Sequence, residues 1–332
     1  MSEYQRRRAS LDLAKGEQGV RYEDLPKRVR RDLREDLEGR TLGYAGGYVY
    51  DAETGELLPN VNIDIVTHIN DSHRQHAKRV DKLAEHNDRN GGFIFAFFKD
   101  VTDIRERFPS LTSTDIARLL LLGLYTSYDG GLLRYDNGRV IDKKELRKIV
   151  GVSRNVFNAF YNRVRDEGIL VEDAEYGNKR LYVNNMVFLR GQIDGLPTDE
   201  HGEELRYARI YRDPLKRLAQ EFGGRYIGKL AVIFLVIPFL NYQYNIITYD
   251  TEEKDVDRVS PMSLSELATE LGFADPAALK REMDTLKMGK QYVFTFVENP
   301  HDRREWRVIV NPNVVYASSG KTLEALKAFF AE

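Results

Sequence analysis

The sequence predicts an α+β fold, predominantly helical, and three observations lead there. Apolar residues recur at helical spacing in several segments, and alternating strand-like runs sit beside Asn-Gly and Gly-rich turns. The order helix, strand, helix, tight turn, helix, hairpin runs through residues 111–193 and returns, less sharply, in 226–316. At 332 residues, 42% hydrophobic and 31% charged, the chain has the size of about two domains and the composition of an ordinary globular protein.

Residues 1–40 form a charged N-terminal helix or arm. Arg6-Arg7-Arg8 and Lys27-Arg28-Val29-Arg30-Arg31 lie among acids. Leu25, Val29, Leu33 and Leu37 recur every four residues, which favours an amphipathic helix over 22–38 against an extended basic arm. Residues 44–66 read as a hairpin: Tyr48-Val49-Tyr50, a turn at 51–55, then Leu57-Leu58 and a strand over 61–66. A charged helix over 71–87 leads to Gly91-Gly92 and the apolar strand 93–98, which is expected to pack on the helices that follow within one domain, 41–193.

The core of that domain, 111–193, opens with an apolar helix from Thr114 to Tyr125 and the extended piece Leu132-Leu133-Arg134-Tyr135. Asp136-Asn137-Gly138 then supplies a turn. Asp142 is placed to cap a short helix that Gly151 stops, and Ser153 is placed to cap a longer one, 154–166, closed by Gly168. Val156, Phe160 and Val164 recur at steps of four and are expected to be buried, flanked by Phe157 and Tyr161. Two strands, 169–171 and 180–183, flank the loop 175–179. This is the element order of a winged helix-turn-helix. Its third helix carries Ser153, Arg154, Asn155, Asn158, Asn162 and Arg165 on the polar face. Arg forks onto guanine and Asn onto adenine, so this face suits base edges in a major groove, while Lys179 and Arg180 at the wing suit phosphate. A solvated polar face, or a winged helix that docks onto protein, would present a similar surface.

Residues 194–205 carry five acids and no Lys or Arg, and with Pro197 they are the expected linker. Beyond it, 206–332 is expected to form a second winged helix. An apolar helix over 229–240 would be kinked at Pro238. Ser263-Leu264-Ser265-Glu266 is a capping box, and Asp275-Pro276 caps a helix over 277–288 lined inside by Leu279, Met283 and Leu286. Residues 292–297 and 306–310 alternate as hairpin strands around a tip with His301, Arg303 and Arg304. Lys280, Arg281 and Lys287 face out with Asp284 and no Asn, a face suited to phosphate contact or dimerisation as much as to base reading.

The net charge of −2 excludes a non-specific polyanion coat. Both modules are mildly basic, with 16 Lys/Arg against 13 acids over 92–193 and 18 against 17 over 206–332. The chain has no cysteine, so disulfides and thiolate metal sites are excluded and a cytoplasmic location is expected. The N-terminus lacks the apolar core of a signal peptide, and the longest apolar run, 230–240, is too short to span a bilayer. Enzymatic patterns fail. His68, His73, His76 and His86, with Asp71 and Asp81, match no usual zinc spacing. Ser318-Ser319-Gly320-Lys321-Thr322 lacks the upstream glycine of a phosphate-binding loop, where Val315 stands instead. No signature supports a Tyr nucleophile. The reading is therefore of a non-enzyme that needs no cofactor or metal.

With these residues in view, the layout resembles the replication initiators of plasmids and phages. Residues 112–191, with Asp142-Lys143-Lys144-Glu145-Leu146, Val152-Ser153-Arg154 and the ending 183–191, are similar to the winged-helix part of phage regulators and of plasmid replication proteins from Gram-positive bacteria. The resemblance implies base recognition by 153–165 and backbone contact by Lys179 and Arg180. It also implies a homodimer on double-stranded DNA as transcription regulator or replication initiator. Two alternatives stay open: a docking module for replication or transcription proteins, and a metal-dependent nuclease built on the histidine segment.

Overall fold

The computed structural model describes residues 25–37, 40–45, 48–58, 61, 63–99, 104–173, 180–193, 198, 202, 204–298 and 306–330, with backbone alone at 63–75 and 225. It is an α+β fold with, among the described residues, eleven α-helices and several small antiparallel sheets. The chain divides into two compact units, 1–81 and 82–332.

In the first unit, helix α1 (Lys27–Leu37) buries the expected stripe: Val29, Leu33 and Leu37, with Leu25 before them, pack against Leu42, Leu58 and Val61. Strands β1 (Leu42–Ala45) and β2 (Tyr48–Asp51) pair in antiparallel register, Leu42 opposite Asp51. The turn after β2 is the one the sequence marks. The Asp51 carboxylate accepts from the amides of Glu53 (2.9 Å) and Thr54 (3.2 Å), and Gly55 takes φ +73°, which only glycine adopts without strain. The expected strand at 61–66 is not formed. Helix α2 starts at Ile63 and runs to Arg89, because Ile63, Val66 and Ile69 recur every three residues and extend the helical period upstream of residue 71.

The second unit is organised by β3 (Phe93–Phe98). A short α3 (Ile104–Arg107) leads to α4 (Ser113–Leu124), α5 (Lys143–Val150) and α6 (Arg154–Asp166). Next come the hairpin β4 (Leu170–Asp173) and β5 (Arg180–Val183), and the short β6 (Phe188–Leu189). Leu132 bridges Tyr182, so the extended piece before α5 joins the hairpin. Beyond β7 (Arg206–Tyr211) and α7 (Arg212–Glu221), the segment expected as one helix is broken into a 3-10 turn (Gly224–Leu230), α8 (Ala231–Leu235) and a second 3-10 turn (Ile237–Phe239). Pro238 has no amide to continue an α-helix, so the chain tightens there and leaves as an extended bridge at Leu240.

Helices α9 (Leu264–Glu270) and α10 (Pro276–Thr285) have the caps the sequence encodes. Ser263 and Glu266 exchange both bonds of a capping box, and Asp275 accepts from Ala278 N at 2.7 Å. Helix α10 is shorter than expected, since β8 (Lys287–Met288) turns back to pair with β9 (Gln291–Tyr292). The hairpin of β10 (Phe294–Glu298) and β11 (Trp306–Val310) follows, then β12 (Val315–Tyr316) and α11 (Leu323–Ala328).

The four-stranded sheet has the order β12-β7-β3-β6, all antiparallel, with Phe93 opposite Tyr211 and Phe98 opposite Arg206. It joins segments on both sides of the acidic stretch 194–205, which therefore does not divide two separately folded modules. The cause is β3 itself. Ile94, Ala96 and Phe98 enter the main core under α4, while Phe95 and Phe97 pack on the other face with Leu205 and Tyr207. A strand apolar on both faces must be covered on both faces and paired at both edges, and β7, with the chain leading into it, supplies what β6 cannot.

Candidate nucleic-acid interface

Helices α5 and α6 are set by local signals. Asp142 accepts from Glu145 N at 2.7 Å, and Gly151 ends α5 in the left-handed region at φ +67°, giving the tight turn into α6. Ser153 stands at the N-cap of α6, but its side chain makes no capping hydrogen bond. The buried stripe is Phe157, Phe160, Tyr161 and Val164, not Val156, Phe160 and Val164; Val156 is 42% exposed. Offsets of three and four from Phe157 to Phe160 and Tyr161, and from these to Val164, keep a straight helix facing the core, whereas a run of fours drifts off it. Choosing the two aromatic flanks over Val156 also buries more surface.

The far flank of α6 is tied to the start of α4. Asp115 is fully buried and accepts from Thr112 N and Oγ1 in a capping box, from Arg118 at 2.9 Å and from Arg163 Nε at 3.0 Å. The tyrosine at the centre of the stripe is also fixed: Tyr161 donates to Glu172 on β4 at 2.6 Å, and the Lys143 ammonium lies 3.8 Å from its ring centroid. Burial pushes the Tyr161 hydroxyl well above its ordinary range, and the bond to Glu172 adds to this, so it remains a donor.

Between α5 and α6 runs an open groove of about 670 Å³, lined by Lys143, Lys144 and Arg147 from one helix and Arg154, Phe157, Asn158 and Asn162 from the other. Among the described residues, no carboxylate lines it. Glu145, on α5, points elsewhere and is held by Tyr135, Arg139 and Lys148. Arg154, Asn155 and Asn162 are exposed and Asn158 is half-buried. Among the described residues their side chains have no hydrogen-bond or ion-pair partner. Arg165 is exposed and pairs with Asp166 at 3.3 Å. Arg180 opens β5, half-buried and in register with Asp173.

The structure thus brings Arg154, Asn155, Asn158, Asn162 and Arg165 onto one helix face, with Ser153 at its start. Lys179, Arg303 and Arg304 lie outside the described residues. On α10, Lys280 is half-buried and engaged with Asp284 at 3.0 Å and with the Phe296 ring, whereas Arg281 is exposed, its Nε donating to the Ala277 carbonyl at 3.2 Å. Sequence reasoning missed Lys143, Lys144 and Arg147 as partners in the groove. Their signal was present as Lys-Lys-x-x-Arg, one turn apart on the helix just before the exposed one. The Asp115 network had no such signal, since 48 positions separate Asp115 from Arg163.

Among the described residues, no group of three or more His, Asp or Glu side chains gathers as a metal site. His76 is exposed, and the side chains of His68 and His73 lie outside the described ones. His86 is 1% exposed, donates from Nε2 to the Pro312 carbonyl at 2.9 Å, and packs edge-on to the rings of Tyr211 and Tyr316. Burial holds it down to about 4, against the partial opposition of the Pro312 bond. The unfolded chain, titrating near 6.5, binds more protons between about pH 6.5 and 4. Stability therefore rises with pH through that window and is lost on acidification, by about 3 kcal/mol at most. Urea titrations from pH 7 to pH 4 should show this slope, and His86→Gln should flatten it.

Compared with models of protein families, with curated proteins and with solved structures, the chain matches none.

Proposed function

We propose that residues 111–193 act as a winged helix that binds a specific site on double-stranded DNA, with α6 in the major groove and with α5 and the β4–β5 hairpin on flanking phosphates. The protein would work in the cytoplasm, as a homodimer on a repeated or inverted site, in the manner of a phage- or plasmid-type transcription regulator or replication initiator. One observation carries the reading: among the described residues, the α5–α6 groove is lined by four cations and two asparagines and by no carboxylate. Phosphates need the first and adenine edges the second, and an acid there would repel the phosphates. The Phe157–Val164 stripe and the Asp115 anchor hold α6 rigidly enough for its outer face to discriminate bases.

The test is capture of genomic fragments by the full chain, followed by sequencing. A discrete enriched motif is the expected result, and its position at an origin or a promoter separates the two roles. Arg154→Ala and Asn158→Ala should each then cost about 1–3 kcal/mol on that motif and relax preference at one base pair. No enriched fragment, together with a protein partner that survives nuclease treatment, would replace this reading with the docking module.

A further inference from the structure

We infer that α6 reads A·T base pairs and recognises thymine by its methyl group, through Ala159 and Val156; this rests on the duplex-reading role proposed above. At 100° per residue, Asn155, Ala159, Asn162 and, at the C-terminal end, Asp166 form the outermost stripe of α6, opposite buried Phe157, Phe160, Tyr161 and Val164. Asn158 borders that stripe on the groove side and exposed Val156 on the other. Three asparagines without hydrogen-bond partners among the described residues offer the donor-acceptor pair that matches adenine N6 and N7. An exposed alanine and valine among them offer what a thymine methyl needs: a small side chain that lets the helix backbone approach, and an apolar surface left open to water in the free protein. Guanine-reading groups are confined to the ends. Arg154 is the first helical residue, and Arg165, at the far end, is already paired with Asp166. The outward stripe therefore specifies a short A·T core, with at most a G·C pair on the Arg154 side.

Selection from a random duplex library with the full chain provides the first readout, and the expected motif holds three or more consecutive A·T pairs. Replacing its thymines by uracil then removes only the methyl, which lies in the major groove. Binding should weaken about fourfold for each methyl that α6 touches, the amount expected for one buried methyl-sized group. Val156→Ala, an exposed change that leaves the core intact, should weaken the thymine duplex and leave the matching uracil duplex unaffected. A G·C-rich motif, or a uracil duplex bound as tightly as its thymine parent, overturns the A·T assignment and leaves duplex reading standing. If no duplex is enriched, both fall.

Discussion

Neutralising the α5 side of the groove, by Lys143→Ala, Lys144→Ala and Arg147→Ala together, is expected to lower DNA affinity by two to three orders of magnitude at about 0.1 M salt. The plot of log K against log salt should flatten by close to three units. Each lost phosphate contact removes about 0.9 from that slope, and three contacts extrapolated over one decade of salt give the stated loss. All three side chains line the groove, and among the described residues no carboxylate lines it with them. The effect should be the same on cognate and random DNA, because phosphates carry no sequence information. That separates it from Arg154→Ala, whose effect depends on the base. Lys143 also lies over the Tyr161 ring, so about 0.5–1 kcal/mol of stability is lost with it. Fluorescence anisotropy over a salt series measures the slope; an unchanged slope would show that α5 does not face the duplex.

The second large effect concerns the support behind α6. Asp115→Ala is expected to destabilise the second unit by about 3–5 kcal/mol, as for other buried ion pairs broken from one side. Two guanidinium groups lose their common counter-charge: Arg118, 9% exposed, and Arg163, a third exposed. The Thr112 capping box at the start of α4 is lost as well. Arg163→Met should cost much less, since the buried Asp115 carboxylate keeps Arg118 and Thr112 and the partly exposed guanidinium is removed together with its charge. Urea unfolding of the three proteins measures both differences. Near-equal losses for Asp115→Ala and Arg163→Met would mean that the network is not organised around the carboxylate. In DNA binding, Arg163→Met should weaken specific sites more than random ones, because it loosens the helix that reads bases while sparing the cations that grip phosphate.

Another tie joins distant segments of the second unit. Asp136, in the turn before α5, bonds Arg212 and Lys216 of α7. Burial works against its charge, but the bonds to Lys216 and Arg212 outweigh it and bring it down to about 2. With a folded pKa below the unfolded value near 3.9, its contribution is full above that value and fades as pH falls toward 2. Acid losses from His86 thus come first, between pH 6.5 and 4, and those from Asp136 only below about pH 4.

Much of the local architecture was legible from residue chemistry. Asp142, the Ser263-Glu266 box and Asp275-Pro276 start helices where expected, because capping is settled within four residues. Gly55, Gly151, Gly168 and Gly272 all take positive φ at the turns they were expected to make. The α1 stripe was legible for the same reason: one face, one period, few competitors. Val156 was misplaced because both its stripe and the Phe157–Tyr161 stripe fit a helix, and only the neighbours of α6 decide which is covered.

What the sequence determined alone is the set of local elements and the polar inventory of α6: three arginines and three asparagines on one helix, with three lysines and an arginine on the helix before it. Only the tertiary structure decided three further points. It turned those two helices so that their polar sides share one groove, it anchored α6 through Arg163 to a carboxylate 48 positions earlier, and it stitched β3 to β7 across the acidic stretch. The reason is physical. Caps, turns and periodicity are interactions between near neighbours, whereas the orientation of a helix and the partners of a two-sided apolar strand follow from which distant surfaces bury each other best.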